Sequence, residues 1–144
     1  KSKVLVNKSA ELKNINQFES EFADARTFCF LHELEFLSQN GLIKGGDLNN
    51  AIVYVEREVN EEELKRLAKL FNKESIKISK NGYLNNLILK YPNEAARHKL
   101  LDVIGDLVLI GMPIKGKIIA HKPGHLVNTT FAKIMKEQIK KECG

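Results

Sequence analysis

PNEAARHKLLDVIGDLVLIGMP, residues Pro92 to Pro113, opens on a helix-starting pair and closes on helix-stopping residues. Asparagine caps the amides of a first turn and proline cannot continue a helix, so the stretch predicts a helix over roughly Glu94 to Ile110. Leu100, Leu101, Val103, Ile104, Leu107, Val108 and Ile110 cover most of its circumference, which predicts substantial burial. His98, Asp102 and Asp106 interrupt that apolar surface at intervals of four, so their side chains share one stripe, each about one turn from the next. Burying such groups unpartnered costs several kcal/mol, so the stripe needs a metal ion, a counter-charge or a wet cleft. Zinc answers all three, because catalytic zinc often takes three histidine or carboxylate ligands and leaves a fourth position to water. The spacing alone fits a hydrogen-bonded His98–Asp102 pair on a helix surface better, because H-x-x-x-D is a common and unspecific pattern. His125, behind Gly124, fits equally well an ordinary loop histidine.

Working outward from this helix, Lys3 to Val6 has a short strand pattern, and Phe18, Phe22 and the run Phe28 to Leu37 carry apolar residues at helical spacing, ended by Asn40-Gly41. Gly45-Gly46 adds a turn before a strand over Ala51 to Val55. Asn60 is a cap for an amphipathic helix whose apolar face is Leu64, Leu67, Ala68 and Phe71, with Glu63 three residues after the cap. Ile76 and Ile78 lead into an Asn81-Gly82 hairpin, with Tyr83 to Tyr91 as the returning strand. Beyond the central helix, Lys115 to His121 is strand-like, and Asn128 can cap a last helix in which Phe131, Ile134, Met135 and Ile139 face inward. Without regular strand–helix alternation, these elements argue an α+β fold. They predict a two-layer sandwich of helices on a small, mostly antiparallel sheet, with inserted β-α-β elements.

The 144 residues suffice for one core, and 43% are hydrophobic. No apolar run reaches the roughly 18 residues of a membrane span, and the start is not that of an export signal. Cys29 and Cys143 stand far apart without C-x-x-C spacing, which fits a reducing cytoplasm better than a disulfide framework. A net charge of +5 permits an anionic partner, but seven of the 23 basic residues fall from Lys115 onward among apolar residues at helical spacing, as on a solvated helix face. A nonenzymatic basic module for nucleic acid or membrane phosphates is the rival reading. It leaves the histidine–aspartate stripe unexplained, and only 7% of residues are aromatic, too few to interleave the lysines as a single-strand platform requires. The sequence begins without Met and in mid-pattern, which predicts a piece of a longer chain.

Four stretches in order then carry a resemblance: Ala25-Arg26-Thr27-Phe28-Cys29-Phe30; Asn40-Gly41-Leu42 with Gly45-Gly46 and Asn50-Ala51-Ile52-Val53; Arg97 to Leu107 with Gly111-Met112-Pro113-Ile114-Lys115-Gly116; and Gly124-His125-Leu126-Val127-Asn128. Together they resemble the second, carboxyl-terminal domain of the zinc-dependent UDP-3-O-acyl-N-acetylglucosamine deacetylases of bacterial lipid A synthesis. They cover most of Ala25 to Phe131. The exception is Glu56 to about Tyr91, longer than its counterpart in common members and expected to be an inserted helix and hairpin.

The resemblance implies that residues 1–144 form that second domain, with an insertion at about 56–91 and the first domain of the polypeptide absent. It implies Zn2+ as cofactor, with His98 and Asp102 as two of three ligands; the third histidine and a glutamate base belong to the first domain. In such an enzyme zinc would lower the pKa of a water molecule and the glutamate would take its proton for attack on the acetamide carbonyl. His125, held in its charged form by Asp106, would stabilise the oxyanion and protonate the departing amine, with a hydroxyl bond from Thr27. Lys99 would meet the uridine diphosphate, Phe28 the sugar, and Leu31, Leu34, Ile43 and Val53 an acyl passage, although each of these four could equally be core. In some bacteria this deacetylase is fused to a 3-hydroxyacyl-carrier-protein dehydratase, so a fused parent is a further expectation. The fragment alone is expected to be inactive.

Overall fold

The computed structural model describes residues 4–5, 8–40, 48, 50–85 and 87–143. The chain divides into two compact units, Lys1–Lys8 with Arg26–Ala95, and Ser9–Ala25 with Ala96–Gly144.

The first unit is built on a β-α-β element. Strand β1 (Thr27–Phe30) runs straight into helix α2 (Leu31–Gln39), after which β2 (Ala51–Tyr54) pairs with β1 in parallel, Thr27 opposite Ala51 and Phe30 opposite Tyr54. Two predictions are corrected here. Phe28 to Phe30 lies in a strand rather than at the start of a helix, since Thr-Phe-Cys-Phe is a run of strand-favouring residues. The two-stranded sheet is parallel, not antiparallel, because a helix directly after β1 carries the chain back to start its next strand in the same direction. Antiparallel pairing survives only in the isolated bridges Tyr54–Tyr83 and Ile78–Leu84.

Alternation along β2 divides this unit's apolar residues. Ile52 and Tyr54 point to one face, with Ala95 and the half-buried Phe28, Phe30 and Tyr83; Phe28 meets the Tyr54 ring edge-on at 5.9 Å. Val53 and Val55 point to the other, among Leu31, Leu34, Leu48, Leu84 and the Leu67–Ala68 face of helix α3 (Glu61–Leu70). The Asn60 side chain caps α3 by accepting from the Glu63 amide, as its sequence predicts.

The hairpin turn also forms, with Gly82 in the left-handed region at φ 74°. A β-carbon there would press to 2.9 Å from Val4 Cγ1. The returning strand is shorter than predicted, with pairing only at Tyr83 and Leu84. Farther on, the backbone is satisfied by side chains instead of a ladder: the Ile88 carbonyl accepts from Arg26 Nη2 at 2.7 Å, and the Lys90 amide donates to Glu94 Oε2 at 2.7 Å. Glu94 is fully buried and also accepts from the Arg26 backbone amide, Nε and Nη2. Burial pushes its pKa up, but those hydrogen bonds and the guanidinium charge outweigh it and hold the carboxyl below its ordinary range. The strand expected at Lys3 to Val6 falls partly outside the described residues, and Val4 and Leu5 form a bend.

The second unit holds a short helix α1 (Phe18–Glu21), nearly all of helix α4 (Glu94–Leu107) and helix α5 (His125–Cys143). From Ala96 to Ile104, α4 is mostly half-buried, less than its apolar circumference predicts. A 3-10 turn (Val108–Ile110) extends it to Gly111, which closes it at φ 86°. The predicted strand at Lys115 to His121 is absent: these residues are exposed, without regular structure. Helix α5 starts at His125, three residues before the predicted cap, and its inward stripe is Asn128, Ala132, Met135 and Ile139. Phe131 and Ile134, predicted inward, are 45% and 58% exposed. The small Ala132 side chain, fully buried with Leu107 and Ile110, sets which face of α5 packs inward.

Candidate functional site

Just over two turns of α4 and the first residue of α5 bring His98, Lys99, Asp102, Asp106 and His125 together inside the second unit. His98 Nδ1 lies 3.0 Å from the Ala25 carbonyl oxygen, which can only accept, so Nδ1 carries a hydrogen and Nε2 is the nitrogen that holds the lone pair in the neutral ring. That nitrogen faces Asp102 Oδ1 at 3.5 Å. Asp102 is only 7% exposed; its Oδ2 accepts from Lys99 Nζ at 2.9 Å, an i,i+3 pair on the same helix. His125 Nε2 approaches the same Oδ1 at 3.8 Å, while His125 Nδ1 lies 3.1 and 3.0 Å from the two oxygens of Asp106. Asn128 Nδ2 donates to Asp106 Oδ2 at 2.9 Å. Desolvation would push Asp106 up, but the hydrogen bonds from Asn128 and His125, with the His125 and Lys99 charges, together hold its carboxyl below the ordinary range.

The donor set can be tested against zinc. Two tetrahedral ligands each about 2.1 Å from the ion stand about 3.4 Å apart. The His98 Nε2 to Asp102 Oδ1 separation, 3.5 Å, matches that span. A metal-binding imidazole ordinarily donates its second N–H to a carbonyl or carboxylate, as His98 does to Ala25. The residues therefore fit two ligands of such an ion. Among the described residues no group of three His, Cys, Asp or Glu side chains could hold a metal by itself.

The other predicted site residues lie in the first unit. Thr27 is exposed at the start of β1 and Phe28 is half-buried beside it. Phe28, Cys29, His32, Glu33, Phe36 and Leu37 line an open groove of about 640 Å³. Leu31, Leu34 and Val53 are packed in the core, with Cys29 against the same cluster, and none of the three lines the groove. Ile43 lies outside the described residues. Burial pushes the Cys29 thiol up to about 11, with the Glu33 charge adding to it, so it is not a reactive thiolate.

Sequence reasoning missed Asn128 as a site residue, reading it as a helix cap. The available signal was that Pro123-Gly124 starts the helix earlier, which puts His125 and Asn128 three residues apart on one face. It also missed the Arg26–Glu94 pair, whose partners are 68 residues apart in sequence.

A family model described as UDP-3-O-acyl N-acetylglycosamine deacetylase matches residues 1–73 and 67–137. The bifunctional enzyme LpxC/FabZ of Bacteroides thetaiotaomicron is 49% identical over 139 residues, 96% of this chain and 30% of that protein. Its namesake from Porphyromonas gingivalis is 46% identical over the same shares. The UDP-3-O-acyl-N-acetylglucosamine deacetylase of Anaeromyxobacter dehalogenans is 41% identical over 116 residues, 81% of this chain and 30% of that protein. The chain thus spans about 30% of the length of the curated relatives it matches.

Proposed function

This chain belongs to the family of UDP-3-O-acyl N-acetylglycosamine deacetylases, and from that premise we propose that it is the second domain of a longer, zinc-dependent enzyme that hydrolyses the N-acetyl group of UDP-3-O-acyl-N-acetylglucosamine in lipid A synthesis. The first domain of the same polypeptide is its partner and completes the site, and residues 56–91, with α3 and the hairpin, are an insertion. No described helix is long and apolar enough to cross a membrane, and a nucleotide-sugar substrate fits a cytoplasmic enzyme. The observation that carries the reading is the chain of contacts from His98 to Asp102 at 3.5 Å, from Asp102 to His125 at 3.8 Å and from His125 to Asp106 at 3.0 Å.

In this reading His98 and Asp102 hold the zinc. When bound, the ion supplies Lewis acidity and lowers the pKa of a water molecule. Asp106 holds the Nδ1 hydrogen of His125, so that Nε2 is the atom that stabilises the oxyanion and passes a proton to the departing amine. Thr27 is assigned a hydroxyl bond to the substrate. Lys99, whose Nζ donates to Asp102, is assigned to the diphosphate as a positive charge. Phe28 is assigned the sugar end of an acyl passage, to which Leu31, Leu34, Ile43 and Val53 are assigned as well. The bifunctional names of two relatives favour an added reading, in which the same polypeptide also carries a 3-hydroxyacyl-carrier-protein dehydratase; hydration–dehydration assays of the complete polypeptide test it.

His125→Ala in the complete enzyme tests the assignment. Loss of a positioned general acid costs about 10²–10⁴-fold in rate. The expected result is a fall of that size in kcat with zinc still near one per chain, measured by acetate release and metal analysis. Loss of the zinc along with activity would make His125 a ligand and overturn its role.

A further inference from the structure

Asn128 is a buried polar side chain, 6% exposed, one turn inside α5. Its backbone amide already bonds to the Gly124 carbonyl at 2.9 Å, so the side chain is not needed as a helix cap. The side-chain amide donates to Asp106 Oδ2 at 2.9 Å, with the nitrogen turned to the carboxylate because a carboxylate can only accept. The same Asp106 oxygen, and its neighbour, take the Nδ1 hydrogen of His125. Asp106 reaches this point from α4, whereas His125 and Asn128 both come from the first turn of α5. The carboxylate is thus gripped from two places on one helix. One grip involves the histidine itself, which is 68% exposed and, alone, has freedom to turn into solvent.

Resting on the deacetylase reading above, we propose that Asn128 is a positioning residue for His125: it fixes the orientation of the Asp106 carboxylate, which in turn keeps a hydrogen on His125 Nδ1 whether the ring is charged or neutral, so that Nε2 faces the reaction, carrying the proton to be donated in the imidazolium and a lone pair once that proton is given up. An imidazole whose second nitrogen is not held loses both its tautomer and its ring orientation. Without the Asn128 amide, the Asp106 carboxylate can rotate about its last side-chain torsion, which is broad and roughly two-fold for this residue type. Lys99 acts on Asp106 through its charge, which has no preferred direction and so does not replace the fixed direction of the amide.

The test uses the complete polypeptide with Asn128→Leu, which keeps the volume and removes the donor, and Asn128→Ala as a second variant. Each is measured by thermal unfolding, bound zinc, steady-state deacetylation, and the ring-nitrogen NMR signals of labelled histidine, with His125→Gln identifying the His125 signals. Loss of a supporting hydrogen bond of this kind costs about 10- to 100-fold. Both variants are expected to lose that much in kcat, with KM within about twofold and zinc unchanged, and the neutral His125 ring is expected to move from the Nδ1–H form to a mixture. An unchanged tautomer in both variants overturns the proposal, as does an unchanged kcat beside an active wild type. If the wild type itself fails to deacetylate, the enzyme reading fails, and the tautomer signal still decides whether Asn128 positions His125.

Discussion

Asp102→Ala in the complete enzyme is expected to release the zinc and with it essentially all deacetylation. Asp102 gives its Oδ1 to the point faced by His98 Nε2, and alanine has no ligand atom to put there. Loss of a supporting group around a metal costs about 10–100-fold in affinity, and loss of a ligand itself exceeds that. Turnover should fall by about three powers of ten or more, as removal of one member of a catalytic unit does. The pair with Lys99 is lost as well, so thermal unfolding is measured alongside. Metal analysis after dialysis checks the result: the variant should retain far less than one zinc per chain under conditions in which His125→Ala keeps its ion. Asp102→Ala protein with a full complement of zinc would remove Asp102 from the ligand set.

Arg26→Ala is expected to destabilise the fold by about 3–5 kcal/mol, the loss found when one partner of a buried ion pair is removed. Glu94 is fully buried, and three of its four hydrogen-bond donors belong to Arg26, two of them on the side chain. The Ile88 carbonyl loses its donor in the same substitution. For a chain of this size such a change lowers Tm by about 10 °C or more. The pH dependence has a definite sign. In the wild type the Glu94 pKa is lowered, so its contribution is present above the unfolded carboxylate pKa and is lost as pH falls through the folded value. In Arg26→Ala burial prevails and the pKa rises, so acid relieves the variant while it weakens the wild type. The Tm difference should therefore shrink toward acid pH. A difference below about 1 kcal/mol at neutral pH would contradict this account of the pair.

The parts of the fold legible in the sequence are those set by local patterns. Pro92-Asn93 and Gly111 bounded the central helix, Asn60 and Glu63 started α3, and Asn81-Gly82 made a turn. Two kinds of feature were not legible. Phe28 to Phe30 sit at helical spacing with the residues after them, and only pairing with Ala51–Tyr54, 24 residues away, makes them a strand. Phe131 and Ile134 repeat at helical spacing with Met135 and Ile139, yet a small residue, Ala132, defines the face that packs. In the candidate site, the His98–Asp102–Asp106 stripe could be read because four-residue spacing fixes direction along a helix. The approach of His125 to Asp106 could not be read from spacing and was expected only from the family resemblance, since it depends on how α5 packs against the 3-10 turn after α4. The Asn128 contact depends on the same packing, and on a helix that begins three residues before the expected cap.

The central claim is that this chain supplies part of a shared site and not a whole one. It is tested most directly by release of acetate from UDP-3-O-acyl-N-acetylglucosamine, measured with excess zinc for the complete polypeptide and for residues 1–144 alone. The account predicts metal-dependent turnover by the first, abolished by a chelator, and none above background by the second. Metal-dependent deacetylation by residues 1–144 alone would contradict it.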